Sequence, residues 1–427
     1  MSDQQATVYG MPYVPGLAQG VLWQGVSHVA ADSILLLSQT DINSLQDLPA
    51  GFIVVEGAPL SHAMVKFLSI GLPTIIIDSQ QAASLQEGGV IAIDGVTGSI
   101  SQYAEDNFRL SVPPKNHRQT KARTTDGVVV QLRASVRNVV AVKKAVSVGA
   151  DAIGLVRSEF LLPQDGSIPD VDFYLQAFND ICEAANKLPV TIRLLDITAD
   201  KLPDCLAQVD AVGGALGMQG VRLFKLEPIR SMLHAQLNAI SELSRSYDIR
   251  ILIPYLVRRE ELHYWVDYIH KYLDGSIKIG AMVETPASAL DFNHWFDIVD
   301  FVAIGNNDLM QCLFAADRNR PELNNYLDPY APLLFRFLKQ VAKSAKGHIE
   351  QVQLCGVLSQ LPGILPVLLG LGYRVFSVDA AMIPHLKQTI STANLSAAEA
   401  LAMRVCSCIE TRQVKNILNI HCKFDGV

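Results

Sequence analysis

Residues 277–308, IKIGAMVETPASALDFNHWFDIVDFVAIGNND, contain two short apolar runs, IKIGAMV and FVAIG. Glu284 follows the first run directly, and Asn307 and Asp308 follow the second. Near-continuous apolar runs of this length, without the alternation of a half-exposed strand, suit strands covered on both faces, as in a parallel sheet. The pattern extends in both directions. From Thr125 onward the apolar runs are VVVQLRAS, AIGLV, TIRLLD, IRILIPYL, IKIGAMV, FVAIG, VQLCG and RVFSV. Helical segments lie between them, including VVAVKKAVSVG, HYWVDYIHKYL and APLLFRFLKQVAKSA. Eight strands alternating with helices fit a (β/α)8 barrel (TIM barrel) better than an open doubly wound sheet. The expectation is an α/β protein with a C-terminal barrel over 125–427.

The region before Thr125 has a different texture. From about Val8 to Gln102, ILLL (34–37), GFIVV (51–55), TIIID (74–78) and GVIAID (89–94) are short β-rich runs with turn punctuation, as in a compact α/β unit. SHAMVKFLSIG between two of them puts Met64, Phe67 and Leu68 on one helical face, with Gly71 as the stop. Residues 103–124 are polar, basic and proline-bearing, which predicts a linker between a small front domain (1–102) and the barrel.

Composition narrows the function. The chain is 49% hydrophobic and 18% charged, so a large core is expected and disorder is not. A net charge of −7 argues against a general nucleic-acid binder. The N-terminus lacks a signal-peptide layout. The most apolar stretch, 363–378, is interrupted by Pro366 and Arg374, so no membrane span is predicted. Seven cysteines without CxxC spacing suggest reduced thiols and a cytoplasmic location. Cys406 and Cys408, with no second pair, read as helix surface or core. No glycine-rich nucleotide-binding motif follows any strand.

In barrels of this kind chemistry sits at the C-terminal strand ends. Here those ends carry Arg157 and Glu159, Arg193 and Asp196, Glu284, Asn307 and Asp308, and Cys355, with Lys201 and Arg318 shortly after two of them. Glu284 and Asp308 suit a hard cation that keeps water and binds a phosphorylated substrate, hence Mg2+. Arg157, Arg193 and Arg318 suit bidentate capture of phosphate and carboxylate oxygens. The competing reading is a set of ion pairs capping a barrel mouth. Cys355 is a buried core thiol or, at a strand end before Gly356, a catalytic one. His62, after a strand and at a helix start, is a surface residue or a site for an attached anion.

The segments GLVRSEFL, TIRLLDITADKLP, GGALGMQGVRLF, KIGAMVETPASAL, DFVAIGNNDLMQ with its following ADR, and LCG resemble phosphoenolpyruvate-utilising enzymes. That family includes enzyme I of the sugar phosphotransferase system and pyruvate phosphate dikinase. In the front region, ILLLSQTDINSLQDLPAGFIVVEGAPLSHAM and GLPTIII carry the same resemblance, closest to enzyme I. It implies a swivelling front domain whose His62 accepts the phosphoryl group of phosphoenolpyruvate. Arg157, Arg193 and Arg318 would clamp the substrate, with Lys201 and Asn307 assisting. Glu284 and Asp308 would hold Mg2+, and Cys355 would protonate C3 of the enolate to give pyruvate. A homodimer through the barrel is also implied.

The chain departs from the family pattern. The helical domain that docks the histidine phosphocarrier has no room before ILLL, and an ATP-grasp domain is absent, so the expected acceptor is an unidentified protein or small molecule. Gln219 stands where the family has an arginine. Leu60 replaces a threonine before Ser61-His62, and Phe67-Leu68 replaces Ala-Arg. The leading expectation is a phosphotransferase. The alternatives are a phosphoenolpyruvate sensor with little turnover, and a barrel lyase or mutase.

Overall fold

The computed structural model describes residues 7–102, 121–163, 165–197, 206, 216–273, 277–318, 320–345 and 347–420. The front region is one mixed eight-stranded sheet. Its elements are β1 (Thr7–Tyr9), β2 (Met11–Val14), β3 (Leu17–Gln24), β4 (Ser33–Ser38), β5 (Gly51–Val55), α1 (His62–Ile70), β6 (Thr74–Ile77), α2 (Ser79–Ala83), β7 (Val90–Asp94) and β8 (Ser99–Gln102). The strand order is β1-β8-β7-β3-β4-β5-β6-β2, with β3, β4, β5 and β6 mutually parallel.

The period-two geometry of a strand divides the apolar runs between two cores. In β4, Ile34 and Leu36 join a small cluster with Leu22, Ile53, Ile75, Leu85 and Ile93. Leu35 and Leu37 face the other way, and with Phe52 and Val54 they join a cluster that continues through α1 into the barrel.

Helix α1 lies on that second face. The Ser61 hydroxyl accepts from the Met64 amide at 3.2 Å and so satisfies one of the unpaired donors of the first turn. Gly71 ends the helix at φ 75°, donating its amide to the Phe67 carbonyl. Met64, Phe67 and Leu68 are fully buried, as their spacing predicts, and Phe67 meets Phe52 edge-on at 5.0 Å. Leu60, Phe67 and Leu68, the apolar departures from the family pattern, are all core residues.

The second sheet closes on itself. After β9 (Ala122–Arg123), the barrel strands are β10 (Val129–Val136), β11 (Ile153–Arg157), β12 (Val190–Arg193), β13 (Ile249–Leu256), β14 (Lys278–Val283), β15 (Phe301–Gly305), β16 (Val352–Cys355) and β17 (Val375–Asp379). They pair in parallel in chain order, β17 pairs with β10, and β10 pairs with β11 to complete the ring. The TIM barrel expected from the eight apolar runs is therefore present. β9 runs antiparallel to β10 within the stretch read as a linker; residues 103–120 of that stretch lie outside the described ones.

The helices are α3 (Val139–Ser147), α4 (Val171–Ala184), α5 (Ile229–Leu243), α6 (Arg259–His270), α7 (Pro286–Asp291), α8 (Asn306–Phe314), α9 (Pro332–Ser344), α10 (Ile364–Gly370), α11 (Ile383–Thr392), α12 (Leu395–Ser407) and α13 (Thr411–Ile417). Cys406 and Cys408 are buried at the end of α12. The barrel interior holds Leu155, Leu252, Met282, Phe301, Ala303 and Cys355, packed together as in other filled barrels.

At Gly370, α10 lies directly against the backbone of α12. A β-carbon there would stand 2.0 Å from the Ala398 carbonyl oxygen, which is backbone and cannot swing aside. Gly370→Ala is expected to push the two helices apart and lower unfolding free energy by about 1–3 kcal/mol in urea titration, the usual range for overpacking. An unchanged midpoint would show that this contact yields freely.

Candidate active site at the mouth of the barrel

The residues predicted at the strand ends converge. One cleft is lined by Arg157, Arg193, Glu284, Asn307, Asp308 and Cys355, together with Arg137, Asp379 and Val65 of α1. Register explains the convergence: Arg157 is paired with Arg193 across β11 and β12, and Gly305 with Cys355 across β15 and β16. His62 is the first residue of α1, three positions before Val65; its side chain and the whole of Lys201 lie outside the described residues. Arg318 reaches the site through Asp308, its Nη2 lying 3.1 Å from Oδ1.

Arg193 is only 2% exposed. Its Nη2 contacts Glu159 Oε1 at 2.6 Å and its Nη1 contacts Asp196 Oδ2 at 2.7 Å. Burial works against its charge, but Asp196, Glu159, Glu284 and Asp308 outweigh that and hold its pKa above the ordinary value. Arg157 has the opposite balance. Burial first, then the like charges of Arg193, Arg137 and Arg318, lower its pKa despite Glu159. Among the described residues, buried Arg157 Nε and Arg318 Nε and Nη1 have no hydrogen-bond partner. Ion pairing at the mouth and spare cationic donors therefore coexist, and spare donors of this kind suit an oxyanion.

Glu284 is pressed against Gly305, where a β-carbon would lie 2.7 Å from its carboxylate. Its Oε2 accepts from the Tyr255 amide at 2.9 Å. Tyr255 takes φ 53°, unusual for a residue with a side chain, and this turn of the strand aims the amide inward. Sequence reasoning missed Tyr255; the signal was Pro254, a proline inside a strand run. Burial, then Asp196 and Asp308, raise Glu284 to a pKa of about 8. Crowded carboxylates of this kind suit a bound cation, and an all-oxygen donor set suits a hard one such as Mg2+. Among the described residues no group of three or more His, Cys, Asp or Glu forms a metal cluster. Two protein carboxylates completed by water and substrate oxygens are the arrangement Mg2+ favours.

Cys355 belongs to a chain of polar contacts inside the barrel that the sequence did not reveal. Arg133 donates to Gln353 Oε1 at 3.0 Å, and Gln353 Nε2 lies 3.0 Å from Cys355 Sγ. The arginine fixes which end of the amide faces the sulfur. Burial pushes the thiol up to about 11, so it carries its proton at neutral pH. Asn307 Oδ1 accepts from the Val357 amide at 3.2 Å, and a β-carbon on Gly356, at φ 114°, would stand 2.8 Å from that oxygen. Asn307 thus holds the turn that presents Cys355. Gln219 is buried at the start of a short turn, and Arg222 donates to the Gly217 carbonyl; neither is among the residues lining the cleft.

Residues 114–395 match the family described as PEP-utilising enzyme, PEP-binding domain, where PEP is phosphoenolpyruvate. The chain belongs to that family. The curated phosphoenolpyruvate-protein phosphotransferase of Buchnera aphidicola subsp. Schizaphis graminum is 30% identical over 391 residues, 86% of this chain and 68% of the relative. That of Streptomyces coelicolor is 31% identical over 366 residues, 83% of this chain and 65% of the relative. A multiphosphoryl transfer protein of Xanthomonas campestris is 30% identical over 400 residues, 89% of this chain and 47% of the relative. The chain thus spans about two thirds or less of these relatives' lengths. Every cleft residue named above except Val65 falls inside the matched span, and His62 precedes it.

A protonated, buried thiol should resist alkylation. Only the thiolate reacts, so labelling of Cys355 by iodoacetamide should climb roughly tenfold per pH unit from about pH 8 to about pH 10. Peptide mass spectrometry on folded protein reads this, and fast labelling at neutral pH would show that the thiol is already ionised.

Proposed function

We propose that this chain is a phosphoenolpyruvate-dependent phosphotransferase that moves the phosphoryl group to His62 and then to a separate acceptor, a protein or small molecule, releasing pyruvate. The observation that carries this reading is the convergence of arginines, carboxylates including Glu284 and Asp308, an amide and a protonated thiol on one cleft in a chain of this family.

In this reading Arg157, Arg193 and Arg318, assisted by Lys201 and Asn307, hold the phosphate and carboxylate oxygens, which is most of what phosphoryl transfer asks of a protein. Glu284 and Asp308 would hold Mg2+, which when bound neutralises charge on the transferring group and on the enolate oxygen. The bond from phosphorus to the enol oxygen breaks as a bond from phosphorus to the His62 ring nitrogen forms. Cys355 Sγ then gives its proton to C3 of the enolate, producing pyruvate, and the thiolate regains a proton from water. The thiol's raised pKa suits this donor role. Val65, one helical turn beyond His62, lines the cleft, which supports a working position for α1 over the barrel mouth.

A homodimer through the barrel and a cytoplasmic location belong to the same reading. Among the described residues no helix is long and apolar enough to cross a membrane.

The test is incubation with phosphoenolpyruvate and Mg2+, followed by intact mass and a pyruvate assay. A phosphohistidine adduct absent in His62→Ala is expected. Cys355→Ala should release pyruvate about 10²–10⁴ times more slowly, the usual worth of a positioned acid. Glu284→Gln should slow transfer and raise the Mg2+ concentration needed for half-maximal rate. Binding of phosphoenolpyruvate with neither adduct nor pyruvate would replace the enzyme with a sensor.

A further inference from the structure

Arg137 has no part in the mechanism above, although it stands at the same rim. It follows β10 directly, lines the cleft with Arg157 and Arg193, and is half-buried. Its guanidinium carbon lies 5.2 Å from the centre of the Phe160 ring, and that of Arg157 lies 5.7 Å from the same ring. Two cations thus share one aromatic ring at the edge of one cleft. Like charges gathered this way are unfavourable in isolation and favourable around an anion.

The position of Arg137 is set from the front domain. Its Nη2 donates to Ser69 Oγ of α1 at 2.8 Å. The Ser69 hydroxyl lies 2.8 Å from Asp379 Oδ1, at the end of β17. β17 pairs with β10 inside the barrel, Asp379 standing in register with Ser135, so both barrel members of this trio are fixed by the sheet. Ser69 lies on the same helix as His62, seven positions later. Asp379 only partly offsets the arginine, because the hydroxyl stands between them and the remaining guanidinium nitrogens keep their donors. A structural ion pair would pair the two charges directly, as Arg193 does with Glu159 and Asp196.

We propose that Arg137 is a further substrate-binding residue of this cleft, donating to an oxyanion of the phosphorylated three-carbon acid, and that Ser69 positions it when α1 sits on the barrel mouth. Substrate binding and the seating of the His62 helix are then coupled through one side chain. The inference rests on the reading of the cleft as a phosphoenolpyruvate site.

Isothermal titration of phosphoenolpyruvate with Mg2+ tests it in the full chain carrying His62→Ala, so that no phosphoryl group is transferred, with the wild-type residues at 69 and 137 compared with Arg137→Gln, Arg137→Lys and Ser69→Ala. Arg137→Gln removes the charge and the fork, and its Kd is expected to rise about tenfold or more. Its log Kd should also vary less steeply with log salt, a readout that a purely structural role would not move. Arg137→Lys keeps the charge without the planar fork and should fall between; Ser69→Ala should weaken binding about threefold through lost positioning. Melting temperatures without ligand show whether each variant is folded; if Arg137→Gln is not, the lysine and alanine variants decide. Unchanged affinity and salt dependence in every folded variant would overturn the proposal while leaving the cleft's reading intact. A His62→Ala parent that does not bind phosphoenolpyruvate would overturn both.

Discussion

Closure of the parallel barrel is the constraint on which the site depends. With β10 paired to both β11 and β17, the eight parallel strands form a closed ring, and their C-terminal ends meet in one small space. Side chains at those ends have little bulk water to turn to, so each charge must be balanced by another strand's residue or by a ligand. Arg193 shows the first solution, held between Glu159 and Asp196. Removing one member of such a buried set typically costs about 3–5 kcal/mol, because the other charge is left unpaired. Arg157 and Arg318 show the second, with buried guanidinium nitrogens that nothing among the described residues satisfies.

The same closure orders the chemistry. Carboxylates and guanidinium groups interleave at the mouth: Asp196 and Asp308 add to burial in raising the proton affinity of Glu284, while Arg193, Arg137 and Arg318 add to burial in lowering that of Arg157. A ligand with a divalent cation at one end and oxyanions at the other satisfies both groups together. Cys355 sits among apolar neighbours inside the barrel, which explains why it keeps its proton while charges crowd close by. A charged group and a protonated thiol thus stand side by side because one cleft offers two dielectric environments.

The front sheet is tied to this arrangement through its own pleat. The outward residues of β4 form a separate core, and the inward ones join α1 and the barrel in a continuous apolar cluster. Polar contact at the junction runs through Ser69, which meets Asp379 across 310 positions of the chain. Apolar continuity gives affinity without direction, and the hydroxyl and guanidinium supply direction.

Much of the fold was legible because buried parallel strands must be apolar along their whole length, so their runs stand out without knowledge of partners. The strand-end polar groups were legible for the complementary reason: Arg157, Glu284, Asp308 and Cys355 terminate or closely follow those runs. The stop of α1 could be read from Gly71, since capping is local, and its buried face from the spacing of Met64, Phe67 and Leu68. The tertiary structure alone decided which charges pair and which stay free. Arg193 meets Glu159 across 34 positions, Gln353 orients under Arg133 across 220, and Arg137 finds Ser69 across 68. Such contacts depend on strand register and on the angle at which elements meet, and neither leaves a trace in local composition. Sequence therefore determined the barrel and the charges that end its strands, while Arg137, Asp379 and Tyr255 joined the mouth, and the electrostatic balance among all of them arose, only when closure brought the strand ends together.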